Sequence, residues 1–123
     1  MEINHTPLAV VRAYHNGWTS KNFDEAVRLL APDLKVEVPI NTYPNAEAFA
    51  QAVIGFGGMV KRTMLLAEFA KDDEAMLLYD MDVDRLGTLR IAEHFTVAHG
   101  KITRIRQIHD TVALRAAGFG KTN

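Results

Sequence analysis

A chain of 123 residues is the common size of one domain and too short for two ordinary ones, and 48% hydrophobic against 24% charged residues is a globular balance that excludes disorder. A formal charge of −1 offers no field to nucleic acid or an anionic membrane, and the absence of cysteine removes disulfides, thiolate metal sites and cysteine nucleophiles together. Met1-Glu2-Ile3-Asn4-His5 lacks the basic flank and apolar run of a secretion signal, and no stretch approaches the roughly 20 apolar residues of a membrane helix. A cytoplasmic protein with no nucleic-acid or membrane partner is expected.

Thr6-Pro7 places a hydroxyl at an N-cap and a proline where a helix has no use for an N–H. Leu8, Val11, Tyr14 (or His15) and Trp18 then recur at three- and four-residue steps and predict a first helix, with Gly17 a costly residue inside it. A second helix is predicted from Asn22, with Glu25 as capping-box partner, Phe23, Ala26, Val27 and Leu30 as its stripe, and Pro32 as its end. Leu34, Val36 and Val38 alternate with charged neighbours and predict a short strand over Asp33–Pro39. After a loop from Pro39 to Pro44, a third helix runs from Asn45 to about Phe56 with Phe49, Val53 and Phe56 on one face. Beyond Gly58 the period changes to two. Strands are predicted over about Arg62–Lys71, Ala75–Arg85, Thr88–Ala98 and Lys101–Asp110, separated by turns at Asp72-Asp73-Glu74, Leu86-Gly87 and His99-Gly100. Connections this short force antiparallel neighbours. Helices followed by a meander of strands define an α+β domain with a core over about residues 6–110 and a tail from Thr111 to Asn123 holding a partial helix near Val112–Ala117.

Five segments in this order carry a resemblance: Ala9-Val10-Val11-Arg12-Ala13-Tyr14, Asn22-Phe23-Asp24-Glu25-Ala26, Leu30-Ala31-Pro32-Asp33, Val36-Glu37-Val38-Pro39 and Ala92-Glu93-His94-Phe95-Thr96-Val97. Gly100-Lys101-Ile102 and Ile108-His109-Asp110 complete it. The chain resembles the nuclear-transport-factor-2-like superfamily, and within it the SnoaL-like polyketide cyclase and ketosteroid isomerase type of domain. That resemblance implies a cystatin-like cone, in which N-terminal helices sit in a strongly curved antiparallel sheet around an apolar pocket. It also implies a homodimer paired through the convex sheet face. Tyr79, Met81, Val83, Ala92 and Ile105 are assigned to that outer face.

The resemblance also directs the choice of site residues. Tyr14 lies where ketosteroid isomerases keep a helix-borne tyrosine that donates to a developing oxyanion. Its other reading is membership of the apolar stripe with Leu8, Val11 and Trp18. Glu93 lies where those isomerases hold a protonated acid; between Ile91 and Phe95 on the inner face it would be desolvated, whereas at a solvated edge it would be inert. The isomerase base precedes the first-strand proline, and here Val38 occupies that place, with Glu37 pointing the other way. Asp110 ends the last strand, where the cyclases and the limonene-epoxide hydrolase branch keep an acid; it is assigned as base or water activator, or alternatively as a cap of the following turn. Asp80, Asp82 and Asp84 share one strand face, from which one or two are expected to reach the pocket, with Asp82 taken as the candidate, and at least one to belong to a solvated acidic surface. Trp18, Phe49, Phe56, Met59 and Phe95 are assigned to the cavity lining.

His15, His94 and His109 have no ligand spacing with these aspartates, and Gly55-Phe56-Gly57-Gly58 lacks the lysine and preceding strand of a phosphate loop, so neither metal nor cofactor is expected. Two functions follow. One is a cofactor-free isomerase, cyclase or hydrolase acting on a small hydrophobic carbonyl or epoxide compound by acid–base chemistry. The other is a non-catalytic small-molecule-binding or dimerisation module of the same fold.

Overall fold

The structure, a computed structural model, describes residues 6–119. Four helices and five strands follow in the order α1 (Pro7–Thr19), α2 (Phe23–Val27), β1 (Leu30–Glu37), α3 (Ala46–Gly57), β2 (Val60–Lys71), β3 (Glu74–Val83), β4 (Gly87–Ala98), β5 (Lys101–Ile108) and α4 (Val112–Ala116). At the start of α1 the Thr6 hydroxyl accepts from the Ala9 N–H at 3.3 Å, and Asn45 does the same for the Ala48 N–H of α3 at 2.8 Å. No such side-chain cap forms at Asn22, so the expected capping box with Glu25 is absent. The Asn22 N–H instead donates to the Gly17 carbonyl at 2.8 Å as the chain doubles back.

That doubling back explains Gly17. A Cβ there would lie 3.1 Å from the Ala26 Cβ, so the glycine that weakens α1 in isolation lets α2 pack against it. The strand predicted from Asp33 begins earlier, at Leu30, and runs through Pro32. A proline fits there because β1 is an edge strand whose pairing is interrupted between Leu30 and Lys35.

The sheet order is β1-β5-β4-β3-β2. Its four C-terminal strands form an antiparallel meander, and β1 joins β5 in parallel with Val36 opposite Ile105. His99 and Gly100 at the last turn both have positive φ, 54° and 75°, the geometry that matches the twist of a tight hairpin. Side chains alternate faces along the strands. On β3 the buried set is Ala75, Leu77, Tyr79, Met81 and Val83; on β4 it is Leu89, Ile91, Glu93, Phe95 and Val97. These form the concave face, against which α1 packs. The assignment of Tyr79, Met81, Val83 and Ile105 to the outer face is therefore corrected, and of that set only Ala92 is not buried. The period of two was right, and so was its phase on β4, where Ile91, Glu93 and Phe95 point inward; on β3 and β5 the phase was inverted.

At one end the concave core is solid, with Val11, Leu77, Phe95, Ile102 and Ile105 fully buried and the Tyr14 ring edge-on to Phe95 at 6.0 Å. At the other end it opens into a cavity. The C-terminal segment reaches that opening: Leu114 of α4 is buried and Phe119 meets Phe56 edge-on at 5.9 Å. Residues 120–123 of the predicted tail lie outside the described residues. Among the described residues no helix is long and apolar enough to cross a membrane.

Candidate functional site

The cavity has a volume of about 330 Å³, at the small end of the range for small-molecule pockets. Its wall is largely apolar, with Trp18 from α1, Phe49 and Phe56 from α3, Met59, and Met81 and Leu89 from the sheet. Polar groups gather where β3, β4 and β5 run side by side: Tyr79, Glu93, Gln107 and His109, with Tyr14 facing them from α1. Glu93 is the only carboxylic acid among the lining residues, and His109 the only imidazole.

Glu93 is 1% exposed. Its register puts Gln107 directly opposite on β5, and Tyr79 lies one inward position along on β3. The Tyr79 hydroxyl donates to Glu93 Oε1 and the Gln107 amide to Oε2, each at 2.8 Å. Burial drives the carboxyl pKa up, and the two hydrogen bonds, which favour the charged form, oppose that only in part. No cation touches Glu93 among the described residues. Burial, and then the nearby Glu93, push the Tyr14 and Tyr79 hydroxyls far above the ordinary tyrosine value, so both stay protonated donors. Tyr79 spends its proton on Glu93, whereas the Tyr14 hydroxyl has no hydrogen-bond partner among the described residues and can give its own to a ligand. The cluster can therefore present O–H groups to an oxygen atom inside a largely apolar pocket, where such bonds count for more than in water.

A SnoaL-like domain model matches residues 11–105. The chain belongs to the SnoaL-like domain family. A crystal structure from Kribbella flavida superposes on this SnoaL-like domain with a TM-score of 0.84 and 31% identity, covering 89% of this chain and 91% of that one. A nuclear-transport-factor-2-like protein of unknown function from Cytophaga hutchinsonii gives a TM-score of 0.82 at 17% identity, covering 94% and 99%. An LEH-like epoxide hydrolase of M. tuberculosis gives 0.72 at 18% identity, covering 89% and 86%. The last two likenesses, at such identities, concern the fold alone. No curated protein matches the sequence.

Set on this SnoaL-like frame, the residues singled out in the sequence divide. Tyr14 and Glu93 meet at the cavity, and Trp18, Phe49, Phe56 and Met59 line it. Val38 also lines it, leaving a group that moves no protons where an isomerase base is expected. Phe95 is not among the lining residues; it is fully buried in the solid end of the core, against Tyr14. Asp82 is placed on the convex face, where Arg62 donates to it at 2.8 Å and Thr88 at 2.6 Å, because the inward phase of β3 belongs to Tyr79 and Met81. Asp80 pairs there with Arg90 at 2.7 Å, and Asp84 with Lys61 at 3.6 Å. Asp110 is exposed and outside the lining, and its Oδ1 accepts from the Val112 N–H at 2.9 Å at the entry to α4. Its side chain takes the capping position that the sequence left as the alternative.

The sequence reading did not single out Tyr79, Gln107 or His109 as site residues. The available signal was alternation: Tyr79 shares its phase with Leu77 and sits opposite Ile91, and Gln107 and His109 continue the inward phase of Ile105. Among the described residues no three histidine, aspartate or glutamate side chains gather closely enough to hold a metal ion.

Proposed function

We propose that this chain is a cofactor-independent enzyme of the isomerase, cyclase or hydrolase type, acting on a small hydrophobic carbonyl or epoxide compound by acid–base chemistry. The observation that carries this reading is Glu93, a carboxyl buried in a cavity wall with two neutral donors and, among the described residues, no cation. Burial without a cation disfavours the charged form of such a group, a penalty that an apolar residue at this position would not incur. A protonated Glu93 beside the Tyr14 hydroxyl polarises an oxygen and stabilises the negative charge that develops on it. Trp18 lines the cavity and is the only tryptophan of the chain, so its emission reports occupancy. Titration with cyclohexanone and with its hydrocarbon counterpart should show the ketone binding more tightly, by about 10-fold for one added hydrogen bond. Glu93→Leu should remove that preference. Equal affinity for the two compounds would refute the assignment of an oxygen-binding end.

The second reading is a non-catalytic module that only binds such molecules, and Val38 at the wall favours it. Binding with ketone preference but no turnover of any carbonyl or epoxide compound would select it.

We further propose a homodimer through the convex face of the sheet. Met64, Phe69 and Ile108 there are 61%, 69% and 71% exposed, large apolar side chains interspersed with ion-paired charges. Sedimentation of Met64→Arg and Phe69→Arg variants checks it: each should shift the wild-type dimer towards monomer.

A further inference from the structure

The reading above supplies an oxygen-binding end but leaves the proton acceptor unassigned, since Val38 has no titratable group and the Asp82 and Asp110 side chains lie outside the cavity lining. The geometry of the β5 end fills that gap. Beyond Gln107, which holds Glu93, His109 is the next residue of the inward phase, and it lines the cavity while Ile108 between them is exposed. The His109 Nδ1 lies 2.9 Å from the Asp110 carbonyl oxygen. A carbonyl has no hydrogen to give, so Nδ1 is the donor, and in the neutral form of a ring so held the lone pair is on Nε2. No side chain or backbone group among the described residues occupies Nε2. The Asp110 carboxylate, by accepting from the Val112 N–H, ties down the segment that bears this carbonyl. Acid and base therefore line the same cavity, Glu93 on β4 opposite Gln107 of β5, and His109 one residue beyond the end of β5.

We propose that His109 Nε2 is the proton acceptor of this site, and that its substrates are ketones or aldehydes bearing a hydrogen on the carbon next to the carbonyl. The inference rests on the oxygen-binding role of Glu93 and Tyr14 given above. In the forward step the C–H bond breaks and its proton goes to Nε2. The electron pair becomes the C=C bond of the enol, and the carbonyl oxygen takes the proton of the Glu93 carboxyl. The products are enol, imidazolium and carboxylate. Return of the imidazolium proton to the same or a conjugated carbon, and of the enol proton to Glu93, restores both groups with no co-reactant. Asp110 acts as a positioning residue, through its backbone carbonyl.

The test is exchange of the α-hydrogens of cyclohexanone and propiophenone in deuterium oxide, followed by proton NMR. Wild-type protein should accelerate exchange over buffer, His109→Gln should lose roughly 100-fold or more of that acceleration, and Asp82→Asn on the convex face should keep it. Imidazole-nitrogen NMR of unsubstituted protein, which needs no substrate and no variant, should show the Nδ1–H tautomer at His109. Full activity in folded His109→Gln, or an Nε2–H tautomer, overturns the base assignment and leaves the proposed function standing. Ketone binding reported by Trp18 without exchange above buffer overturns the enolisation and selects the binding module. Absence of ketone binding sinks the underlying reading together with this one.

Discussion

The two faces of β3 and β4 carry acids of the same chemistry under opposite physics. On the convex face Asp80 and Asp82 sit in water beside Arg90, Arg62 and Thr88, whose hydrogen bonds hold both carboxyl pKa values below the usual aspartate range. On the concave face, a few ångströms through the same sheet, Glu93 is stripped of water and held above the usual glutamate range. The outer acids are fully charged and satisfied, and they have little left to offer a reaction. Burial favours the neutral form of the inner one, the form that can donate to a carbonyl oxygen. Which acid matters is thus decided by the direction a side chain takes from its strand, and the number of acids on that strand says nothing about it.

Substitutions that contrast the faces test this directly. Phe95→Ala, in the solid part of the concave core, should cost about 3–5 kcal/mol in urea denaturation, while Ile108→Ala on the exposed side should cost far less. Similar costs for the two would mean that the concave face is not the core.

The next effect is pH-dependent. His15 is buried with its Nδ1 unpaired among the described residues, its ring tilted against Tyr79 at 4.6 Å and edge-on to Trp18 at 5.4 Å, and desolvation lowers its pKa from 6.5 to about 4. The unfolded chain therefore binds the proton more readily. The stability this group contributes is complete above pH 6.5 and is lost as pH falls towards 4, on the order of 3 kcal/mol in all. Glu93 has the opposite sign. Its folded pKa is raised, so its contribution is present below the unfolded value and is lost as pH rises through the folded one. Denaturation curves across this range should flatten on the acid side in His15→Met and on the alkaline side in Glu93→Gln. A His15→Met variant as acid-sensitive as wild type would contradict the neutral burial of His15.

Tyr79→Phe removes one of the two donors to Glu93 and should cost about 1–3 kcal/mol. It should also raise the Glu93 pKa further, because the lost bond favoured the charged form; infrared titration of the carboxyl C=O band reads this directly. Smallest of all is Asp82→Asn on the convex face. Its thermal midpoint should shift least in this series and its effect should fade with added salt, since Arg62 and Asp82 meet in water. A loss comparable with that of Tyr79→Phe would place Asp82 in the working interior and break the contrast.

Much of the fold was legible because local chemistry repeats itself. Thr6-Pro7 and Asn45 mark helix starts that form as read, and the turns at Asp72, Arg85 and His99 fall between strands whose ends agree with the expected ones to within about two residues. Where the reading missed, the deciding contact came from far along the chain. Gly17 is costly until Ala26 packs on it, and β1 runs through Pro32 because its partner is the distant β5. The capping box at Asn22 failed because a five-residue helix folded back on α1 satisfies that N–H another way.

The candidate site shows the same division more sharply. Sequence alone determined that a strand carries Tyr79, Asp80, Met81 and Asp82 in alternation, that Glu93 stands between apolar neighbours, and that His109 and Asp110 come where the last strand finishes, which the structure puts at Ile108. It determined period and chemistry, since both depend on residues close together in the chain. Only the tertiary structure decided phase: Tyr79 in and Asp82 out, His109 in and Asp110 turned to cap α4. Phase depends on which face the helices cover, and that is settled by burying the larger apolar set against α1. It also depends on how the chain leaves its strand at Ile108, where one residue of offset exchanges a half-buried imidazole that lines the cavity for an exposed carboxylate.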